Sequence, residues 1–311
     1  MTYAWLFPGQ GAQKVGMGKA LFEQSPRARE IYERADEALG FSISKICFDG
    51  PDSELLLTKY TQPAIVATSI AALEALRESH PSLPSPAFVA GHSLGEYSAL
   101  VAAGALSVED AVRVVHARGA AMQEAVPTGQ GAMAAIMGGD TEAVELLCKD
   151  AAEGDALSPA NFNAPGQIVI AGSAAAVARA VSLAKERKLK GIPLKVSAPF
   201  HCALMAPAAE KVKEALANVS INKLDFPVVA NVTAKANADA AQVSDLLVRQ
   251  VDSAVQWERS VQLLAQGGVD KALEIGPGKV LTGLLKRIDK SIAVKQVGTP
   301  EDISSLTEFV S

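Results

Sequence analysis

Long apolar runs, paired cysteines, clustered histidines and an excess of basic charge are all missing from this chain. Each absence closes off a class of function. No apolar stretch reaches the roughly eighteen residues of a membrane-spanning helix, so no membrane role is expected. Three cysteines, Cys47, Cys148 and Cys202, are odd in number and far apart. They fit neither a disulfide framework nor a zinc site, and they suit a reducing cytoplasm. Four histidines (His80, His92, His116 and His201) are too scattered for a metal centre, and no metal is expected. Lys and Arg number 29 against 34 Asp and Glu, a net charge of −5 with no long basic run, which argues against nucleic acid as a partner. The chain opens Met1-Thr2-Tyr3-Ala4-Trp5 and enters a strand at once, with no basic segment leading into an apolar one, so no secretory signal is read.

What is present is a globular composition of 311 residues, 49% hydrophobic and 20% charged, long enough for a large core and two domains. Its organising stretch is Ala90-Gly91-His92-Ser93-Leu94-Gly95-Glu96-Tyr97. The apolar run Pro86 to Ala90 reads as a short buried strand and Leu94 to Ala103 as a helix, with Gly-x-Ser-x-Gly on the turn between them. A serine there forms a nucleophile elbow. The glycines are expected to let the backbone turn tightly, and the N-terminus of the following helix favours an anion forming beside Ser93.

Upstream, Tyr3 to Phe7 reads as the first strand, ending at Pro8-Gly9-Gln10-Gly11. On spacing alone this loop is equally a plain turn or an anion-binding loop facing the elbow. Helices are expected from Ser25-Pro26 to about Leu39 and from Thr61 to Ser79, where Ile65, Ile70, Leu73 and Leu76 recur at helical spacing. Ser107 caps a helix running to about Ala125. That helix carries Arg113, His116 and Arg118, with Met122 on the face of Arg118, and either arginine could point into a site or into solvent. Residues 129–197 change texture. Gly131–Met137, Leu157–Phe162, Gln167–Ala171 and Gly191–Val196 read as strands, and Thr141–Ala152 and Ser173–Lys188 as helices. That β-α-β-β-α-β order is the ferredoxin-like unit. Beyond it come a helix to about Asn218, a strand at Phe226–Asn231, helices near Val243–Val251 and Trp257–Gln266, a strand at Lys271–Ile275, and a last clear helix at Lys279–Arg287. Alternating strands and helices imply an α/β core with a mostly parallel sheet, built from residues 1–128 and 198–311 with residues 129–197 inserted.

A serine hydroxyl is a weak nucleophile until a base takes its proton. His92 adjoins Ser93, but a neighbouring side chain on an elbow points elsewhere. His80 and His116 read as surface or packing residues. His201, on a loop entering a helix, is the better candidate, although an isolated histidine is often structural. An ordinary α/β-hydrolase also wants an acid before a histidine near the C-terminus. Here 110 residues follow His201 and no acid stands out.

The chain resembles the malonyl-CoA:acyl carrier protein transacylases of bacterial-type, dissociated fatty acid synthesis. The resemblance runs nearly end to end. It rests on Phe7-Pro8-Gly9-Gln10-Gly11, Gly91 to Leu100, Met122 to Pro127, Asn161-Phe162-Asn163, His201 to Met205, Val255-Gln256-Trp257 and Gly276 to Gly283. It implies a hydrolase-like core with a ferredoxin-like insert, and a malonyl-serine intermediate formed at Ser93. His201 would be the base, oriented by the main-chain carbonyl of Gln250 instead of by an acid. The N–H groups of Gln10 and Leu94 would form the oxyanion hole. Arg118 would bind the malonyl carboxylate, and Met122, Asn161 and Phe200 would line the pocket. No cofactor is implied. The substrates would be malonyl-CoA and phosphopantetheinylated acyl carrier protein, and the enzyme a cytoplasmic monomer.

In related polyketide acyltransferases a Phe at the place of Phe200 goes with malonyl in preference to methylmalonyl, so poor methylmalonyl transfer is expected. Lys185, Arg187, Lys188 and Lys190, or else Lys286, Arg287 and Lys290, could meet an acidic carrier protein. A discrete polyketide acyltransferase would share nearly all these residues. A serine thioesterase is a further reading, which Arg118 and the missing acid argue against.

Overall fold

The computed structural model describes residues 1–196 and 198–310. Ser197, where the inserted unit was expected to end, and Ser311 lie outside the described residues. The chain begins with β1 (Tyr3–Phe7), α1 (Lys19–Gln24), α2 (Pro26–Leu39), α3 (Ile43–Asp49), α4 (Asp52–Leu55), α5 (Thr58–Ser79), β2 (Phe88–Gly91), α6 (Gly95–Ala102) and α7 (Val108–Glu124). Next come β3 (Gly131–Met137), α8 (Thr141–Ala152), β4 (Leu157–Ala164), β5 (Gln167–Ser173), α9 (Ala174–Glu186) and β6 (Lys190–Pro193). After a 3₁₀ turn at Ala203–Met205 follow α10 (Ala206–Leu216), β7 (Val228–Ala230), β8 (Lys235–Asn237), α11 (Ala240–Asp252), α12 (Trp257–Gln266), β9 (Lys271–Ile275), α13 (Val280–Ile288), β10 (Ala293–Val297), α14 (Pro300–Ser304) and α15 (Thr307–Val310).

Six strands form the larger sheet in the order β10-β9-β1-β2-β7-β8. All neighbours are parallel except the β7–β8 hairpin. Every residue of β1 is buried, because helices cover both faces of the sheet. Phe7 pairs with Gly91, so β1 and β2 end at the same edge. The Gly9-Gln10 loop and the Ser93 elbow therefore leave side by side. In open α/β sheets ligands bind outside the carboxyl ends of the strands, and both segments lie there.

The second sheet, β4-β5-β3-β6, is antiparallel. Its hairpin turns on Pro165-Gly166, where Gly166 takes φ 68°. Ala134, Ile136, Val144, Leu147, Ile168, Ile170 and Val177 form a core of its own beneath α8 and α9. This is the ferredoxin-like order of elements, attached to a mainly parallel α/β core.

Several boundaries depart from the expectation. Helix α5 starts at Thr58, not Thr61, with Thr61 Oγ1 donating to the carbonyl of Leu57 inside its first turn. Strand β6 stops at Pro193; Leu194 N still donates to the Met133 carbonyl of β3 (2.9 Å), and Leu194 and Val196 wall a cleft. Beyond Lys279–Arg287, read as the last clear helix, the chain continues into β10 and two short helices, α14 and α15. Strand β10 is an edge strand whose residues are mostly half-exposed or exposed, and so carry little apolar signal.

Candidate active site

Ser93 occupies the left-handed backbone region, at φ 52°. The turn therefore falls on the serine itself and not on its flanking glycines. Gly91 and Gly95 serve close approach instead. A Cβ on Gly91 would lie 1.9 Å from the Gly95 carbonyl oxygen, and one on Gly95 would lie 2.3 Å from that of Phe7. A non-glycine residue in this conformation costs about 1–3 kcal/mol, so the surroundings must hold it there. Asn231, after β7, does so. Its Oδ1 accepts from Ser93 N (2.7 Å) and its Nδ2 donates to the Gly91 carbonyl (2.7 Å).

His201 stands two residues before the 3₁₀ turn, on the loop that leads into it. Its φ is also positive, 59°, and the ring is buried. His201 Nδ1 lies 2.9 Å from the main-chain oxygen of Gln250 on α11. A carbonyl oxygen only accepts, so the proton sits on Nδ1 and Nε2 keeps its lone pair. Nε2 lies 2.8 Å from Ser93 Oγ, from which it accepts. Burial, and after it the cationic Arg118, push the imidazole down to about 3, so the ring is neutral at physiological pH. Nδ1 is thus anchored by a main-chain carbonyl where hydrolases place a carboxylate.

Arg118 projects from α7 into the same point and is 1% exposed. Arg113 turns away, its Nε donating to the Ala38 carbonyl (3.0 Å). Arg118 Nη1 donates to Gln62 Oε1 (2.8 Å), and Nη2 donates to Gln250 Oε1 (2.9 Å) and to Ser93 Oγ (3.1 Å). All three acceptors are neutral. Arginine offers five N–H donors, and the buried Nε finds no hydrogen-bond partner among the described residues. A buried cation held by neutral oxygens, with donors to spare, is arranged for an incoming anion.

Behind the elbow lies Glu96, in the first turn of α6. Its Oε2 accepts from Asn231 N (3.0 Å) and Gln250 Nε2 (2.7 Å). Burial raises its carboxyl to about 7, although Asn231, Gln250 and Arg118 all favour the charged form.

These groups open into a cleft between the two sheets, lined among others by Gln10, Met122, Asn161, Phe200, Leu194 and Val280. No hydrogen bond joins the backbone N–H of Gln10 or of Leu94 to another described residue, and Leu94 opens α6. His92 points away from the serine, its Nε2 2.9 Å from Asn163 Oδ1. His116 stacks on Tyr60 at the surface of α7. All three cysteines are free and buried. Among the described residues no cluster could hold a metal ion. Of the basic groups, Arg187 pairs with Asp150, whereas Arg287 donates to Gln167 Oε1 on the cleft wall (2.6 Å).

Sequence reasoning brought forward Ser93, His201, Arg118 and Gln250, which meet here. It missed Gln62, Glu96 and Asn231, whose parts depend on contacts with residues 56, 154 and 138 positions away.

The acyl transferase domain family matches residues 4–305. A malonyl CoA-acyl carrier protein transacylase of Bacillus subtilis is 50% identical over 302 residues, covering 96% of this chain and 94% of that protein. One from Escherichia coli is 45% identical over 308 residues, covering 99% of each. Among solved structures, a malonyl-transacylase in complex with a type II polyketide acyl carrier protein superposes with a TM-score of 0.96 at 42% identity, covering 99% of this chain and 100% of that one.

Proposed function

Because this chain belongs to the acyl transferase family, we infer that it transfers the malonyl group from malonyl-CoA to the phosphopantetheine thiol of acyl carrier protein, in fatty acid synthesis. The observation that carries this reading is the pairing of a Ser–His couple with a buried arginine 3.1 Å from the serine oxygen. The first supports acyl transfer. The second selects an acyl group with a free carboxylate.

Ser93 Oγ attacks the thioester carbonyl while its proton passes to His201 Nε2. The N–H groups of Gln10 and Leu94 stabilise the oxyanion of the tetrahedral intermediate. The C–S bond breaks, and His201 returns the proton to the leaving thiolate, giving free CoA and malonyl-Ser93. The thiol of acyl carrier protein then gives its proton to His201 and attacks the ester carbonyl. Collapse releases malonyl-thioester and restores the Ser93 hydroxyl. Throughout, Arg118 holds the malonyl carboxylate, which displaces its bond to Ser93 Oγ and frees that oxygen for attack. Met122, Asn161 and Phe200 shape the acyl pocket. No cofactor or metal enters these steps.

The same reading makes residues 129–197 a subdomain inserted between 1–128 and 198–311, supported by the separate sheet and core. It makes the enzyme a cytoplasmic monomer, a setting that the free buried cysteines suit. The test is steady-state transfer with malonyl-CoA and holo acyl carrier protein both varied. Parallel double-reciprocal lines support a two-step exchange through the enzyme. Intersecting lines, or malonate released faster than carrier protein is loaded, contradict it.

A further inference from the structure

We propose that Glu96 is a positioning residue for acyl selection: it fixes which way round the Gln250 amide stands and thereby aims Arg118 at the carboxylate of the acyl group. The inference rests on the malonyl-transfer reading above. A glutamine amide can be turned over with little change in shape, which exchanges a donor for an acceptor. At Gln250 the two orientations are far from equivalent. With Nε2 toward Glu96, the amide donates to Glu96 Oε2 (2.7 Å) and to the Ser93 carbonyl (3.0 Å), and Oε1 faces Arg118 Nη2 (2.9 Å). Turned over, it would set an N–H₂ against the guanidinium and an oxygen against two further oxygens. Glu96 supplies the stronger of the two acceptors that forbid this, and it does so from a fully enclosed place, 3% exposed.

Gln250 matters twice because its main-chain oxygen also orients His201. Only the side-chain half of that task depends on Glu96. A defect at Glu96 should therefore fall on recognition of the acyl carboxylate more than on proton transfer at His201. Glu96 also accepts from Asn231 N, so a purely architectural role for the elbow is the competing explanation. That role would impair every acyl donor alike.

Both bonds converge on one oxygen of Glu96, so a glutamine there can offer a single Oε1 to both donors. Glu96→Gln is expected to keep the malonyl-to-acetyl ratio of kcat/KM within about two-fold of the parent. Glu96→Ala is expected to lower that ratio about ten-fold or more, mainly through the KM for malonyl-CoA. Gln250→Met leaves the main-chain carbonyl in place, and it should lower the ratio even with Glu96 intact. The double variant Glu96→Ala/Gln250→Met should be no worse than Gln250→Met alone, because the two residues act through one contact.

Equal losses on malonyl and acetyl in Glu96→Ala would overturn the proposal. So would a ratio unchanged in Gln250→Met, a measurement that stands even if Glu96→Ala does not fold, or additive effects in the double variant. A parent enzyme that takes no malonyl at all would instead refute the proposed function, so the two failures are told apart.

Discussion

Replacing Arg118 by methionine separates binding of the acyl carboxylate from the chemistry of acyl transfer. Methionine is unbranched and fills most of the buried space, whereas alanine would add a cavity to the lesion. In the parent, the guanidinium is enclosed at 1% exposure and a malonyl carboxylate would meet it out of contact with bulk water. Truncating one partner of a desolvated charge pair costs about 2–5 kcal/mol, which is about thirty- to four-thousand-fold in kcat/KM for malonyl-CoA. Acetyl-CoA offers no carboxylate. It loses only the bond from Nη2 to Ser93 Oγ, which attack by that oxygen must break in any case, so its loss is about three-fold at most. One effect opposes even that loss: Arg118 is the second cause, after burial, that depresses His201, so its removal makes the base stronger. Single-turnover acylation with each donor, read by intact mass, would give the two rates. Malonyl should fall by at least an order of magnitude more than acetyl. Equal losses would refute a carboxylate-binding role and leave Arg118 as scaffolding for the serine.

Burial holds the His201 imidazole neutral down to about pH 3, so acidification through pH 6.5 should not switch off serine acylation; a falling limb centred near 6.5, measured in Glu96→Gln so that the carboxyl near 7 does not contribute, would contradict this. The sign for stability follows from the same shift. Below about 6.5 the unfolded chain binds a proton that the fold refuses, so this residue's contribution is present at neutral pH and is lost as pH falls toward 3, which acid titration of Tm would register. Phe200 lines the cleft next to His201, and Phe200→Ser should raise transfer of the branched methylmalonyl group relative to malonyl; a ratio that does not move would remove the steric argument. Gly91→Ala sets a methyl group 1.9 Å from the Gly95 oxygen, so the elbow cannot close as it stands, and a variant with parental Tm and activity would refute the close-packing account.

The elbow was legible because its constraint is local: strand, Gly-x-Ser-x-Gly and helix are contiguous. The small unit was legible too, since four strands and two helices follow each other with clear punctuation at Gly129 and Pro165-Gly166. What escaped was set by distance. Gln62 lies inside the apolar helix α5 and meets Arg118 only because α5 packs along α7. Glu96 reads as an ordinary polar residue in the first turn of a helix, yet that turn faces Asn231 and Gln250. The conformation of Ser93 was misassigned to its glycines, because sequence alone does not say whether a glycine supplies a positive φ or clears space for a neighbouring backbone. Strands β8 and β10 are short edge strands, and their assignment comes from pairing partners and not from any apolar period of their own.

The most direct test is the mass of the intact protein after brief exposure to malonyl-CoA without an acceptor, beside Ser93→Ala. The account predicts a malonyl-sized increase on the parent alone, discharged when holo acyl carrier protein is added. No adduct on the parent, or an equal adduct on Ser93→Ala, would contradict a covalent intermediate at the elbow.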